Sequence, residues 1–171
     1  AGLELCEQAE ALGLKPDFVA APASGGGLIA GVATAVKHRW PDVTVLVAEP
    51  KDFADYGQSL KSGTRVTNPK DARSICDALL SPTPGEITFA VNRRLLAGGI
   101  SASDDDILKT MRFALMRLKL VIEPGGAAAL ASVLMRRDEM RGKTVAVVAS
   151  GGTAAPATLQ RALNAPAFDF G

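Results

Sequence analysis

Phe18-Val19-Ala20-Ala21, followed closely by Ser24-Gly25-Gly26-Gly27-Leu28-Ile29-Ala30-Gly31, is the stretch on which the fold turns. The first four residues are apolar on both faces, the mark of a strand buried inside a parallel sheet. The glycines make a tight turn, and the small residues over 28–39 follow as a helix. Trp40-Pro41-Asp42 ends that helix, and residues 43–48 form a second buried strand that stops at Glu49-Pro50. Strand, glycine turn, helix and strand make a βαβ unit, whose crossover is right-handed.

Upstream of this unit, Leu3, Leu5, Cys6, Ala9 and Leu12 mark one face of a helix over 3–12, with Gly13 as its C-cap. The chain enters that helix from Ala1-Gly2 without a methionine, which suggests a piece of a longer chain. Downstream, the pattern predicts helices over 52–60, 72–80 and 86–97 and a short strand at 100–102. Ser103 is placed as an N-cap, with Asp104, Asp105 and Asp106 beside the positive end of the helix dipole. Ile107, Met111, Ala114, Leu115 and Leu118 then share one face of a single long helix. Glu123-Pro124-Gly125-Gly126 opens an alanine-rich helix that runs to about Met140. Residues 144–149 form a third buried strand, ending in Ser150-Gly151-Gly152-Thr153. A last helix near 155–163 leads into a tail expected to fray. Strands alternating with helices predict an α/β fold, three αβα layers around a mostly parallel sheet. Residues 1–171 read as one domain without repeats or linkers.

Composition narrows the function classes. Apolar residues make up 47% and charged residues 22% of 171, with a net charge of +1. That balance favours neither nucleic acid nor an anionic membrane as a partner. No apolar run reaches the ~18 residues of a membrane helix. Glu4, Glu7 and Glu10 interrupt the start, unlike a signal peptide. Cys6 and Cys76 have no metal-site spacing and read as reduced thiols of a cytoplasmic protein.

Both glycine turns follow strands, at the sheet edge where α/β folds bind ligands. Consecutive glycines let backbone N–H groups converge on an anion, and the helix that follows adds its positive end. A phosphate monoester suits such a turn; the plainer reading is a tight turn with close helix packing. Gly25, Gly27, Ala30 and Glu49 also approximate a dinucleotide fingerprint, which keeps an NAD-binding domain open. A bare phosphate-binding module is a further alternative. Ser150 lacks the G-x-S-x-G setting of a nucleophile, and the only histidine, His38, sits at a helix end as a solvated residue.

With both turns placed, the chain resembles fold-type II pyridoxal-phosphate (PLP) enzymes, specifically the threonine/serine dehydratases (ammonia-lyases) and serine racemase. The likeness runs from Leu3 to Thr153. It rests on Pro16-Asp17, the glycine loop, Ala48-Glu49-Pro50, the stretch DALLSPTPGEITF over 77–89, LKLVIEPGGAAA over 118–129, and Ser150-Gly151-Gly152. The resemblance implies most of the large domain of such an enzyme. It implies that Ser24, Gly25, Gly26, Gly27 and Leu28 hold the cofactor phosphate, with Ser24 in place of the family's first glycine and its hydroxyl as an added donor. It implies that Ser150, with Gly151, meets the pyridine nitrogen, and that Glu123 lies near the cofactor; otherwise Glu123 only stabilises a helix start. Thr153 stands where the family usually has asparagine. Glu49, Phe53 (by its carbonyl) and Asp55 match a divalent-cation site for Mg²⁺ or Ca²⁺, the alternative being a solvated carboxylate pair.

The family's Schiff-base lysine lies in an upstream Ser-Phe-Lys motif that does not occur here. Lys15, Lys37, Lys51, Lys61, Lys70, Lys109, Lys119 and Lys143 read as solvated. The resemblance therefore implies a chain without a catalytic residue of its own, inactive alone. Its partners would be an amino-acid substrate and the missing N-terminal half, in a homo-oligomer. Little chain follows Gly152, so no effector-binding domain is expected and the short, catabolic kind of dehydratase is favoured.

Overall fold

The computed structural model describes residues 1–169. Its four strands are all parallel and lie in the order β3-β2-β1-β4. In chain order the elements are α1 (Gly2–Ala11), β1 (Phe18–Pro22), α2 (Gly27–Arg39), β2 (Thr44–Pro50), α3 (Asp55–Ser62) and α4 (Glu86–Leu95). There follow β3 (Gly98–Ala102), α5 (Asp104–Phe113), α6 (Pro124–Met135), β4 (Val145–Val147) and α7 (Pro156–Asn164). No helix among the described residues is long and apolar enough to cross a membrane.

Alternate side chains of the strands separate the two helical layers. Val19, Ala21, Val45 and Val47 face one layer, where Ile29, Val32 and Val36 of α2 pack with Cys6, Tyr56 and Phe89. Ala20, Ala48 and Ile100 face the other and meet Ala129 of α6. Beyond α6, helices α5 and α7 close a second apolar cluster around Ile107, Met111 and Ala162. Small residues on both sides let α6 lie directly on the sheet. A Cβ on Gly126 would stand 1.6 Å from the Ser150 carbonyl. Nearly all of α6 is buried, which is why it is apolar all round. The three-layer αβα architecture with a parallel sheet is as the sequence predicts.

Several boundaries differ from expectation, each for a visible reason. Residues 72–80 are not a helix; only Asp77–Leu79 makes a 3-10 turn. The Asp104 carboxylate accepts the Ser74 hydroxyl at 2.6 Å and the Ile75 N–H at 3.0 Å, which holds this segment extended across the start of α5. The 52–60 helix is split into a 3-10 turn, Lys51–Phe53, and α3, which Gly63 ends at φ 76°. The long helix from 104 is broken: α5 gives way to a π-helical turn, Ala114–Leu118, closed by Lys119 at φ 61°. Ser103 does cap α5, accepting the Asp106 N–H at 3.2 Å, a contact worth about 1 kcal/mol. The alanine-rich helix stops at Met135, where apolar residues give way to the charged turns of 136–143. The third strand is shorter than predicted, because β4 pairs only with the first three residues of β1. The tail is not loose through 168: Arg112 donates to the Ala165 carbonyl, and Phe168 meets Phe113 edge-on at 6.2 Å. The last two residues of the tail, 170–171, lie outside the described residues.

Candidate functional site

β1 and β4 are neighbours in register, with Ala20 opposite Val147 and the Val148 N–H on the Ala20 carbonyl at 2.9 Å. Adjacent strands lie ~4.8 Å apart. The two glycine turns therefore emerge side by side from the same carboxyl edge. The helix after β1, α2, packs on one face of the sheet, and the helix after β4, α7, lies on the opposite side, against α5. Strand ends from which the chain leaves to opposite sides are the usual ligand position in a parallel sheet.

The first turn is built to offer N–H groups. Gly26 sits at φ 92° and caps α2, while Gly27 and Leu28 are exposed. Among the described residues, the N–H groups of Ser24, Gly25, Gly26, Gly27 and Leu28 donate to no backbone or side-chain acceptor. They stand at the positive end of a thirteen-residue helix, which favours an anion there. The Ser24 hydroxyl does not add to this set as expected. It donates to Ser81 Oγ at 2.7 Å and accepts the Ser81 N–H at 3.1 Å, tying the turn to the segment over 81–85.

The second turn is more open. Ser150 is half-buried and Gly151 exposed at φ 75°. Glu123 is the N-cap residue of α6, but its side chain makes no capping hydrogen bond. Its carboxylate accepts the Thr153 N–H at 3.1 Å, and its backbone N–H donates to the Gly151 carbonyl at 3.2 Å. A Cβ on Gly151 would lie 2.3 Å from Glu123 Oε1, so the turn and the glutamate fit only with glycine there. Glu123 thus starts α6 with its backbone, its carbonyl accepting the Ala127 N–H at 3.0 Å, and braces the second turn with its carboxylate. Thr153 contributes through its backbone, which any residue at that position other than proline supplies.

The third group lies behind the first turn. Glu49 is 2% exposed; its carboxylate accepts the N–H groups of Tyr56 at 2.7 Å and Gly57 at 2.8 Å, at the start of α3. Burial pushes its pKa up to about 8, against those two bonds and with the help of the Asp55 charge. Asp55 is also buried and raised by burial; one oxygen takes the Asn68 amide at 2.6 Å and the other, Oδ2, has no partner. The alternative reading, a solvated carboxylate pair, does not hold, since both acids are buried. Phe53, the third predicted ligand, is buried in the turn between them. No cluster of three or more His, Cys, Asp or Glu suited to a metal occurs among the described residues. An unpartnered buried carboxylate oxygen beside a second acid nevertheless fits a hard cation. The same geometry disfavours a dinucleotide, since Glu49, its ribose ligand in that reading, faces α3.

None of the eight lysines is buried. Lys15, Lys109 and Lys143 pair with Asp42, Asp106 and Asp17, while Lys37 and Lys119 reach the carbonyls of Pro41 and Met116. Sequence reasoning missed Thr88 and Asn92 of α4, whose side chains both bond to the glycine turn.

The fold and the two turns define the class: an α/β protein with a parallel sheet and two glycine turns at the carboxyl ends of adjacent strands. Residues 1–151 match the family described as pyridoxal-phosphate dependent enzymes, and the chain belongs to that family. It is 34% identical to a serine racemase of Dictyostelium discoideum over 167 residues, 96% of this chain and 50% of the racemase. It is 30% identical to an L-threonine ammonia-lyase of Thermotoga maritima, over 95% of this chain and 39% of that protein. The crystal structure of a T.th. threonine deaminase superposes with a TM-score of 0.86 at 38% identity, covering 90% of this chain and 52% of the deaminase. The chain spans about half the length of these relatives.

Proposed function

We propose that the chain is the C-terminal part of a PLP-dependent ammonia-lyase that eliminates water from L-threonine or L-serine; hydrolysis of the resulting imine then takes water back up and releases ammonia and a 2-oxo acid. The observation that carries this reading is the pairing of a free N–H cradle with the Ser150 turn at the ends of β1 and β4. The cofactor, when bound, supplies an electron sink for the substrate α-carbon. Ser24 to Leu28 hold its phosphate through backbone N–H groups. Ser150 would offer the ring nitrogen a neutral hydroxyl rather than a carboxylate, a setting that would suit loss of the substrate's β-hydroxyl. Glu123 keeps the 150–153 turn in place for that contact. Serine racemase is the second reading, favoured by the 34% identity to the Dictyostelium discoideum enzyme.

The amine nucleophile comes from the N-terminal half, which this chain lacks, so the chain alone is inactive. Stoichiometric PLP followed by borohydride reduction should leave the chain's intact mass unchanged, while a full-length version carries a label on an upstream lysine. A single adduct on one lysine of this chain would overturn the assignment. The buried, unoxidised Cys6 and Cys76 suit a reducing, cytoplasmic setting.

Asp55, with Glu49 and the Phe53 carbonyl, is our proposed place for Mg²⁺ or Ca²⁺. A cation bound only by the folded chain adds about 2.7 kcal/mol of stability at about 100 times its dissociation constant. Calcium or magnesium should raise the melting temperature of the chain and leave the Asp55→Asn variant unmoved. Equal behaviour of the two proteins would exclude the site.

A further inference from the structure

The protein holds the glycine turn by its carbonyl oxygens. The Gly25 carbonyl accepts the Gly85 N–H at 3.0 Å and the Thr88 hydroxyl. The Gly26 carbonyl accepts the Asn92 amide at 3.1 Å and the Ala30 N–H at 3.0 Å. Gly85 caps α4, and Thr88 and Asn92 follow on the face of the same helix turned toward the loop. In a planar trans peptide the C=O and N–H of one unit point in opposite directions. Fixing these two oxygens against α4 therefore turns the Gly26 and Gly27 N–H groups away from it. Asn92 is fully buried and is itself braced: its amide also bonds the Tyr56 hydroxyl at 2.7 Å, and Tyr56 fills the space beside Gly26. The Asn92 Oδ1 has no partner. An apolar side chain would avoid that unpaired oxygen, so the amide is kept for its N–H groups.

We infer that Thr88 and Asn92 are positioning residues for the anion: by pinning the Gly25 and Gly26 carbonyls they aim the loop N–H groups, without touching the ligand. The inference rests on the phosphate reading of the loop. Inorganic phosphate is the probe, titrated into the full chain with backbone amides followed by ¹⁵N NMR and folding by circular dichroism. The Thr88→Val variant, which keeps shape and loses the hydroxyl, should bind phosphate about tenfold more weakly, the effect of one hydrogen bond of ~1.4 kcal/mol. Its Gly26 amide should shift even without phosphate, and Thr88→Ser should restore wild-type binding. Asn92→Asp, which sets a carboxylate oxygen against the Gly26 carbonyl, should weaken binding further and move the Gly27 amide. If Asn92→Asp does not fold, the Thr88 pair decides. Unchanged phosphate affinity in Thr88→Val overturns the inference, and so does weak binding that Thr88→Ser fails to restore. A wild-type chain that ignores phosphate removes the phosphate reading itself, a distinct result.

Discussion

Gly26 meets two demands that no other residue type satisfies together. Its φ of 92° is strained for a side chain, and a Cβ there would stand 2.3 Å from the Tyr56 hydroxyl and 2.5 Å from its ring. Left-handed strain of about 1–2 kcal/mol and an overpacking cost of about 1–3 kcal/mol put Gly26→Ala near ~2–5 kcal/mol in destabilisation. At Gly27, where no atom lies within 4 Å of the missing Cβ, alanine should cost far less. Chemical denaturation of the two variants measures the difference, and equal losses would contradict this account of the turn. At this scale the sequence was informative where the chemistry is local. Ser24 to Gly27 declare themselves because consecutive glycines are a backbone signal. Thr88, Asn92 and Asn68 do not, since nothing in their own neighbourhood says that they reach a turn or a carboxylate elsewhere in the chain. The environments of Glu49 and Asp55 were hidden for the same reason: Glu49, at the end of β2, is covered by α3, and Asp55, at the start of α3, is met by Asn68.

Among the elements, β4 is the shorter of the sheet's two edge strands. It pairs with β1 on one side and with no described strand on the other. Its residues are only half-buried, and a groove of about 480 Å³ runs between it and α1, lined by Leu5, Ala9, Leu12, Leu14 and Val147. Leu3 and Leu12 on and just past α1 are 68% and 73% exposed. An open strand edge beside exposed leucines is a template for another strand. The chain should therefore self-associate or bind an N-terminal fragment, and should bind a hydrophobic dye that Leu12→Glu reduces. A monomer on sizing without dye binding would count against it. The strands themselves were legible because burial on both faces leaves continuous apolar runs. The 72–80 segment was misread because Ile75, Cys76 and Leu79 imitate helical spacing, while the Asp104 carboxylate that straightens the chain lies far away in sequence.

Across the whole molecule, the sequence carried the layer architecture, since periodicity and glycine punctuation are written locally. It did not carry the strand order, because nothing in an apolar run names its neighbour. That order has a consequence in time. β1 lies inside the sheet, between β2, made soon after it, and β4, made near the end of the chain. During synthesis β1, β2 and the helix between them can settle early. The turn after β1 stays without its neighbour until β4 has left the ribosome. Pairings so distant in sequence close slowly, because the entropy of closing the loop is lost before any contact offsets it. The turn after β1 can therefore form well before its companion, and the two turns come side by side only once residues 145–147 have been made and have paired with β1.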